Sequence, residues 1–484
     1  MDTALKLGII KEKSQIFTPN PLIKEMVKKI SGIDELYQLK ILENSCGDGR
    51  ILLEIVKKYI DSCIMHCLTK DQMVHVLQEN IFAYEIDNNL IRKCIKKLDE
   101  LVYEYGIECI RWNIKCEDYL ESKDNVKVDL IVGNPPYIAY PNLDKETRDY
   151  LKSNFKSCEK GKFDYYYAFI EKSYYALKSS GRLIYLVPSN FFKNVYAKNL
   201  REIVIQDLVS ICDYPDSAVF ENALVSPSII EIVKDSLSDS FSYINKQKKH
   251  CKSKHVNKSN IQDKWIFEKQ NRKKKRRFGD YFKASICIAT LSNDVFVIKH
   301  GQYDSEGKYF LTENYRIESE LIRKAVSPNG KKREVSQEYI IFPYYFDKDN
   351  KRRKYTEEEI RMSFPEAYLY LIDHIEVLKN RKTEKNAKWF EYGRSQALDY
   401  MNCFPMILIS SIISHKTKAY KLIDEIPYSG IFILPKDGNS IDEALKLLNS
   451  DDFKNYISNV GVCLSGTSRR ITPKDIEDFY YYGE

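Results

Sequence analysis

The sequence predicts an α/β fold with a doubly wound sheet for its first 244 residues, followed by a separate α+β domain. Three observations support this prediction. Short apolar runs alternate with helical patterns up to residue 233, a turn of small residues at 44–50 joins the first run to a long helix, and a basic segment at 245–277 interrupts the alternation. A chain of 484 residues that is 43% hydrophobic can build a core in each of two domains.

The predicted elements of the first domain alternate between strand and helix. Strands are indicated where short runs of Ile, Leu and Val are bounded by turn residues, and helices where apolar residues follow the helical period. The predicted strands are 40–43, 81–84, a strand near 109–111, 128–133, 181–187, 208–211 and 228–233. The predicted helices are 21–30, 51–60, 89–103, 163–178 and 200–206. This order is typical of an α/β domain.

The second half is less periodic, and its clearest helix is 365–379, with proline in its first turn. The segment 245–277 is rich in Lys, Asn and Ser and is predicted to be a linker between domains at 1–244 and 278–484. It holds fourteen Lys and Arg against two acids, whereas the whole chain carries only +7, so the remainder is net acidic. One strongly basic segment in such a chain suits a polyanionic partner.

Composition also limits the compartment and the metal chemistry. No apolar run reaches ~18 residues, so no transmembrane helix is expected. Residues 1–13 lack the apolar region of a signal peptide. The twelve cysteines show no CxxC spacing, so we expect neither a zinc site nor a disulfide framework. A reducing, prokaryotic cytoplasm is the expected location.

The turn after the first strand has the composition of a nucleotide-binding loop. Glu43 ends the strand, and Ser45, Cys46 and Gly47 follow it. Small residues let the backbone approach a ligand, and the next helix offers free N–H groups. Glu85 ends the second strand, where a carboxylate can accept hydrogen bonds from both ribose hydroxyls. A solvated acid at the end of a strand is the alternative interpretation of Glu85.

Two further strand ends carry chemistry. Asp118 and Tyr119 follow the third strand, where they could bind the amino group of an adenine and stack on its ring. The run Asn134-Pro135-Pro136-Tyr137 ends the fourth strand. Because the prolines remove two N–H donors, nearby carbonyls and the Asn134 amide can accept hydrogen bonds from a planar amino group, and Tyr137 offers a flat face to its ring. This chemistry suits methylation of an exocyclic or amide nitrogen.

With these motifs the chain resembles the gamma class of N6-adenine DNA methyltransferases, in particular the TaqI-like enzymes of type II restriction–modification systems. The resemblance covers residues 1–235 well and the second half more loosely. The segments that carry it in the first half are 15–19, 41–50, 134–137, 163–169, 181–192 and 218–223. In the second half they are 280–298, 389–396 and 464–471. One departure is Leu291, where the family usually has glycine after threonine, which puts the local turn in doubt.

The resemblance implies a Rossmann-like, S-adenosylmethionine-dependent methyltransferase domain followed by a DNA target-recognition domain. S-adenosylmethionine would be the methyl donor, with no metal ion. The residues that the resemblance assigns to the cofactor are Thr18, Glu43, Ser45, Cys46, Gly47, Glu85, Ile86, Asp118, Tyr119 and Pro136. Asn134 and Pro135 would hold the target amino group of an adenine. Tyr137 would stack on the flipped base, with Phe220 supporting it from another side, unless Phe220 is an ordinary core aromatic.

Double-stranded DNA is the partner that the resemblance implies. Phosphate contacts are expected from Arg272, Lys273, Lys274, Lys275, Arg276 and Arg277, with a solvated linker as the alternative. Base readout is expected from Arg394, Gln396, Arg469 or Arg470, since Arg and Gln pair with guanine and adenine edges. We also expect a monomer at the nucleoid. The enzyme would belong to a restriction–modification system or act alone as an orphan epigenetic methylase. Any cognate restriction endonuclease is expected to be a separate chain, because only sixteen residues precede the Phe17-Thr18-Pro19 segment.

Three other functions stay open. A methyltransferase acting on a glutamine of a protein release factor would share the Asn-Pro-Pro-Tyr run and the fold, but it would need neither a large second domain nor Phe220. RNA adenine methylation would use the same chemistry on another nucleic acid. A catalytically silent DNA-binding specificity subunit would not bind the cofactor, so cofactor binding discriminates it from the others.

Overall fold

The chain divides into two compact units. In the computed structural model, internal contacts define Met1–Phe267 and Glu268–Glu484 as separate bodies. The structure describes residues 17–215, 226–247, 250–261, 263–267, 275–333, 337–465 and 468–482. Each unit has buried apolar clusters of its own.

The first unit is built on a nine-stranded sheet. Its strands are β1 (Ile41–Glu43), β2 (Ile81–Glu85), β3 (Asn113–Cys116), β4 (Val128–Gly133), β5 (Leu177–Pro188), β6 (Leu208–Asp213), β7 (Pro227–Val233), β8 (Ser240–Gln247) and β9 (His250–Asn257). They lie in the order β3-β2-β1-β4-β5-β7-β6-β8-β9. The strands from β3 to β5 are parallel, and β7 is antiparallel to both neighbours. The strand order reverses between β1 and β4, and the carboxyl ends at such a reversal border the crevice where doubly wound folds bind ligands.

Helices cover both faces of this sheet. They are α1 (Asn20–Lys28), α2 (Arg50–Met65), α3 (Lys70–Asn80), α4 (Asn88–Glu104), α5 (Lys145–Asn154), α6 (Tyr166–Ala176) and α7 (Lys198–Val204). Apolar residues of α1 to α4 pack in one core with Leu130 and Val132 of β4. Residues of α5 to α7 pack in a second core with Ile131, which points to the opposite face. Every residue of β4 except Asp129 is buried, and this explains its unbroken apolar run.

Three predictions of local structure were wrong or incomplete. The third strand lies at Asn113–Cys116 rather than near 109–111, because Cys109 has a φ of +60°, outside the extended region. The helix predicted at 163–178 spans only Tyr166–Ala176, because the next residue already starts β5. The helix Lys70–Asn80 was not predicted, although Thr69 and Gln72 form a capping box at its start, a signal that the sequence carries.

The first part of the predicted linker at 245–277 belongs to the sheet. Strands β8 and β9 form an antiparallel hairpin, and β8 is parallel to β6. Beyond the hairpin, Trp265 is 2% exposed and stacks on Phe192 with the ring centroids 5.9 Å apart. Because β9 is an edge strand whose residues are mostly exposed, its polar composition imitates that of a linker.

The second unit is assembled from small sheets and short helices. Its strands are β10 (Arg276–Arg277), β11 (Phe282–Ile286), β12 (Val297–Ile298), β13 (Gln302–Tyr303), β14 (Tyr309–Leu311), β15 (Arg316–Glu318), β16 (Ile322–Val326), β17 (Glu338–Ile341), β18 (Tyr344–Phe346), β19 (Arg352–Lys354), β20 (Met406–Ile409), β21 (Ile412–Ile413), β22 (Tyr420–Leu422), β23 (Ile426–Pro427), β24 (Ile431–Pro435), β25 (Val462–Ser465), β26 (Ser468–Arg470) and β27 (Tyr480–Tyr481). The two four-stranded sheets have the orders β11-β24-β20-β22 and β12-β17-β16-β23.

The helices of this unit are α8 (Phe278–Tyr281), α9 (Asn293–Phe296), α10 (Pro328–Arg333), α11 (Glu357–Ser363), α12 (Pro365–Asp373), α13 (Ile375–Lys379), α14 (Ile441–Asn449), α15 (Asp451–Val460) and α16 (Pro473–Glu477). The helix predicted at 365–379 is therefore two helices that meet at His374. Leu291 has a φ of +58°, a region that costs a residue with a Cβ roughly 1–2 kcal/mol, so the turn keeps a backbone conformation that favours glycine. Within the described residues, no helix is long and apolar enough to cross a membrane.

Candidate active site

A cavity lies at the carboxyl ends of the parallel strands in the first unit. Side chains that follow β1, β2, β3 and β4 converge on it, as the reversal in strand order predicts. The residues that line it are Phe17, Asn44, Ser45, Gly47, Glu85, Ile86, Leu90, Glu117, Asp118, Tyr119, Asn134, Pro136, Tyr165 and Phe169. It thus combines three carboxylates with apolar and aromatic walls, a lining that suits a nucleoside.

The loop between β1 and α2 is shaped by two glycines. Gly49 has a φ of +85°, and a Cβ there would lie 2.6 Å from Cys94 Sγ, so α4 packs too closely for any side chain. Gly47 has a φ of +53°, and a Cβ there would meet nothing within 4 Å, since it would project into open space. Lys97 Nζ donates to the Asp48 carbonyl at 3.1 Å and to Asp48 Oδ2 at 2.7 Å. The loop is therefore fixed by α4 on one side and is open to a ligand at Gly47 on the other.

The Glu85 carboxylate is fixed by backbone donors. Its Oε2 accepts from the N–H of Gly47 at 2.9 Å, and its Oε1 accepts from the N–H groups of Ile86 and Asp87 at 3.0 Å each. Burial raises the pKa of Glu85 above its ordinary value, while these three donors lower it. Oε2 keeps a lone pair for a further donor, such as a ribose hydroxyl.

Asp118 is oriented from two sides. Its Oδ1 accepts from the N–H of Leu120 at 2.9 Å, and its Oδ2 accepts from the Tyr165 hydroxyl at 3.1 Å. Tyr119 beside it is buried between aromatic rings, with centroids 5.3 Å from Tyr84 and 5.9 Å from Phe169. A rigid carboxylate next to a flat apolar wall can recognise the amino edge and the ring of an adenine.

The Asn134-Pro135-Pro136-Tyr137 run follows β4 and contributes Asn134 and Pro136 to the lining of the cavity. Ser45 Oγ donates to the Asn134 carbonyl at 3.1 Å, which ties the loop after β4 to the loop after β1. The Asn134 side chain donates from Nδ2 to Thr18 Oγ1 at 3.0 Å and accepts at Oδ1 from the Tyr137 hydroxyl. That hydroxyl also lies 2.8 Å from the Leu186 carbonyl. Tyr137 packs edge-on against Tyr166, with the centroids 5.8 Å apart.

Most of the residues predicted to hold the cofactor lie around this one cavity. The predicted cofactor residues that line it are Ser45, Gly47, Glu85, Ile86, Asp118, Tyr119 and Pro136, and Asn134 lines it with them. Thr18, Glu43 and Cys46 do not line it. Thr18 turns its hydroxyl to Asn134, and Glu43 and Cys46 are 1% and 5% exposed in the apolar core that includes Cys94.

Six lining residues were not predicted. They are Phe17, Asn44, Leu90, Glu117, Tyr165 and Phe169. Phe17, Glu117 and Asn44 adjoin predicted residues in sequence, and Tyr165 and Phe169 belong to the segment 163–169, which carries part of the resemblance. Leu90 reaches the cavity from the first turn of α4, where nothing in the sequence marks it. The predicted Phe220 lies outside the described residues, as do Arg272, Lys273 and Lys274.

The residues predicted to contact DNA fall into two groups. Four side chains make no hydrogen bond within the described residues: those of Lys275, Arg276, Arg394 and Arg470. Of these, Lys275 lies over the ring of Tyr482, and Arg276 lies over the ring of Tyr281. Three others serve the second unit itself. Arg277 pairs with Asp478 at 2.8 Å, Gln396 donates to the Cys287 carbonyl at 3.1 Å, and Arg469 Nη1 lies 3.2 Å from Cys463 Sγ.

Part of the chain matches the sequence profile of a known protein family. The sequence profile described as Eco57I restriction-modification methylase matches residues 39–220, a span that includes the loop after β1, Glu85, Asp118 and the Asn-Pro-Pro-Tyr run. Residues 39–220 belong to the Eco57I restriction-modification methylase family. The α/β fold predicted for the first domain is confirmed, as is the presence of an additional C-terminal domain.

Relatives of this methylase segment extend the similarity along the chain. The type II restriction enzyme and methyltransferase RM.Eco57I of Escherichia coli is 24% identical, over 84% of this chain and 50% of its own length. The type II methyltransferase M.AccI of Acinetobacter calcoaceticus is 27% identical, over 62% of this chain and 56% of its own length. This chain spans about half the length of the curated relatives that it matches first.

One solved structure shares the fold of the chain as well as the methylase segment. The type IIL restriction-modification enzyme MmeI, solved in complex with DNA, superimposes with a TM-score of 0.61 and 14% sequence identity. The match covers 99% of this chain and 69% of MmeI. At 14% identity the match establishes the fold only, and the chemistry has to be inferred from the residues of the site.

The cavity residues fit S-adenosylmethionine. The open space in front of Gly47 lets a ligand approach the backbone of the loop. The lone pair on Glu85 can accept from a ribose hydroxyl, and the carboxylate of Asp118 can accept from the amino group of an adenine. Leu90 and Phe169 supply apolar contact for its ring.

Proposed function

We propose that this protein is a site-specific DNA methyltransferase that transfers a methyl group from S-adenosylmethionine to the N6 amino group of a flipped-out adenine in double-stranded DNA. One observation carries the proposal. Asn134, which can accept hydrogen bonds from an amino group, lines the same cavity as Glu85 and Asp118, which suit an adenosine. The relatives named as type II methyltransferases support it.

Asn134 and Pro135 would make the target nitrogen reactive. The lone pair of an adenine amino group is delocalised into the ring, so the nitrogen is a poor nucleophile. Hydrogen bonds from its two N–H groups to Asn134 Oδ1 and to the Pro135 carbonyl would draw the nitrogen toward a tetrahedral geometry and localise the lone pair. S-adenosylmethionine, when bound, supplies an electrophilic methyl group on a sulfonium. The protein therefore acts by positioning and electrostatics, without a covalent intermediate.

Tyr137 would offset part of the cost of base flipping. Extruding a base from a duplex costs a few kcal/mol, and stacking on an aromatic face returns roughly 1–3 kcal/mol. Tyr137 is held by Tyr166 and by the Leu186 carbonyl, so its ring needs little ordering when a base arrives. Phe220 is proposed to contact the other side of the base.

The second unit is proposed to select the DNA sequence. Exposed Arg394 and Arg470 are the candidates for base contacts, and Lys275 and Arg276 are the candidates for phosphate contacts. We further propose that the enzyme acts as a monomer, either in a restriction–modification system with a separately encoded endonuclease or alone as an epigenetic methylase. The target sequence would follow from the experiment below.

Methyl transfer from labelled S-adenosylmethionine to unmethylated genomic DNA tests the proposal. We expect label in DNA, and single-molecule sequencing of the product should find N6-methyladenine at one recurring sequence. Label in RNA or in a protein instead of DNA would replace this function by one of the other methyl acceptors. No label in any acceptor, with no binding of S-adenosylmethionine, would favour the silent specificity subunit.

Substitution of Asn134 by alanine tests the mechanism. Because it removes an acceptor aimed at the reacting nitrogen, we expect kcat to fall by at least about a hundredfold, while S-adenosylmethionine and DNA still bind. Asn154→Ala removes an exposed asparagine of the same unit and is the matched control. If Asn134→Ala methylated DNA at the wild-type rate, Asn134 would not activate the amino group.

A further inference from the structure

The amide of Asn134 lies between two hydroxyl groups. Thr18 Oγ1 accepts a hydrogen bond from Nδ2 at 3.0 Å, and the Tyr137 hydroxyl donates to Oδ1. Thr18 is 5% exposed, and its neighbour Phe17, rather than Thr18, lines the cavity. The Thr18 side chain is therefore committed to Asn134 and is not among the groups that face the cofactor space.

The orientation of this amide decides what it can do. The two ends of an asparagine side chain have nearly the same size, but one end only accepts hydrogen bonds and the other only donates. With Oδ1 toward the target, Asn134 can accept from an amino group. With the amide turned over, two N–H donors would face the N–H donors of the target, and the lone pair would not be localised.

Shape alone does not fix this orientation, so the neighbours must fix it. Tyr137 cannot do this by itself, because its single hydroxyl hydrogen has two acceptors within reach, Asn134 Oδ1 and the Leu186 carbonyl at 2.8 Å. In the structure Thr18 Oγ1 accepts from Nδ2 while Tyr137 donates to Oδ1, and a turned-over amide would keep both contacts only if the two hydroxyls exchanged their donor and acceptor roles. Thr18 therefore favours the orientation in which Nδ2 faces it.

We infer that Thr18 is a positioning residue that holds the Asn134 amide with its oxygen toward the target, and that Tyr137 occupies this oxygen only until the target arrives. This inference rests on the proposed function. On base entry the Tyr137 hydroxyl turns to the Leu186 carbonyl and leaves Asn134 Oδ1 to the incoming amino group. No buried polar group loses its partner in either state, so the exchange carries little cost.

The test compares Thr18→Val with Thr18→Ser in the full-length chain. Valine keeps the shape of threonine but removes the hydroxyl, whereas serine keeps the hydroxyl. For each variant we would measure the single-turnover rate at saturating S-adenosylmethionine and cognate DNA, the Kd for S-adenosylmethionine by calorimetry, and the Tm. We expect Thr18→Val to lower the rate about tenfold or more, with the Kd within about twofold of wild type, and Thr18→Ser to restore most of the rate.

Two outcomes would overturn the inference. If Thr18→Val weakened S-adenosylmethionine binding and kept the wild-type rate at saturation, Thr18 would be a cofactor contact. If Thr18→Ser were as slow as Thr18→Val, the hydroxyl would not be responsible. A lower Tm shared by both variants, with only the valine variant slow, would still support the positioning role.

A second variant, Tyr137→Phe, tests the role assigned to the Tyr137 hydroxyl. Since the Tyr137 hydroxyl leaves Asn134 during the reaction, its removal should slow the single-turnover rate only about two- to threefold, less than Thr18→Val. A larger loss in Tyr137→Phe than in Thr18→Val would reverse the assigned roles. Wild-type protein that labels no DNA would remove the proposed function, and the inference with it, whereas an active wild type with equal Thr18 variants would remove the inference alone.

Discussion

Glu43 is a carboxyl placed where a charge is unfavourable. It is 1% exposed at the end of β1, and its Oε2 makes no hydrogen bond within the described residues. Burial, reinforced by Cys94 and Glu85, raises its pKa well above the ordinary value of 4.5. The carboxyl lies near Cys94 of α4 and the backbone of Leu52 of α2, and it does not line the cavity, so we expect a structural role.

Glu43→Gln tests this interpretation through stability. The folded chain keeps the proton that the unfolded chain releases near pH 4.5, so the free energy of unfolding of the wild type falls as the pH rises above 4.5 toward the folded-state pKa. One such group contributes a slope of up to about 1.4 kcal/mol per pH unit. We expect Glu43→Gln to remove this slope and raise the Tm at pH 8, in denaturation curves measured across pH 5–8.

The same variant separates the structural role from a cofactor contact. The Kd of Glu43→Gln for S-adenosylmethionine should stay within about twofold of wild type, since no lining atom changes. A substantially weaker Kd would show that Glu43 contacts the cofactor, as the resemblance implies. Glu85→Gln is the matched control, because Glu85 does line the cavity and should lose affinity.

The site residues that the sequence predicts best are those that follow strands. Glu85 and Asn134 come at the ends of short apolar runs, and Asp118 comes two residues after β3. Parallel topology gathers these strand ends at one edge of the sheet. Tyr165 and Leu90 arrive from helix starts, and their orientation depends on packing that no local pattern records. The partner of Thr18 likewise depends on tertiary structure, because 116 residues separate it from Asn134.

At the scale of elements, the basic segment is several structures rather than one. Its beginning completes the hairpin of β8 and β9. Lys258 then buries its ammonium against the carbonyls of Gln206 and Ser238, and the last two residues of the segment form β10, which pairs with β27. Composition does not distinguish these structures, because an edge strand and a loop are both rich in polar residues. Pairing between strands distant in sequence distinguishes them.

This division predicts different roles for neighbouring cations. Lys275→Gln with Arg276→Gln should reduce the slope of log K against log salt by about two, one for each phosphate contact. Arg277→Gln should leave that slope unchanged and lower the free energy of unfolding by about 0.5–1 kcal/mol, because Arg277 is partly exposed and paired with Asp478 and Asp280. DNA-binding titrations at several salt concentrations, with urea denaturation, measure both quantities.

The outcome for Arg277 decides between the two interpretations. A loss of salt dependence in Arg277→Gln equal to that of the double variant would mean that Arg277 reaches a phosphate and that its ion pairs give way on binding. An unchanged slope in the double variant would mean that this part of the segment is solvated and contacts nothing.

At the scale of the whole molecule, the position of the boundary follows from packing. Residues 245–257 complete the hairpin β8–β9, and Trp265 and Phe267 close the core over Phe192 and Tyr243. The contacts therefore divide the chain after Phe267, whereas composition predicts a boundary after residue 244. A charge pattern marks where polar residues begin, but the last buried side chain marks where a folding unit ends.

Two fragments of the first unit test this boundary. Fragment 1–267 contains every residue that lines the cavity and both of its cores, so we expect a cooperative unfolding transition and a Kd for S-adenosylmethionine within about threefold of the full chain. Fragment 1–244 lacks β9 and Trp265, which leaves β8 unpaired on one edge and uncovers Phe192. We expect it to aggregate or to unfold without cooperativity, because an unpaired strand edge and exposed aromatic rings both favour association. Calorimetry and light scattering on the two fragments measure this, and equal stability of both would place the end of the folding unit at residue 244.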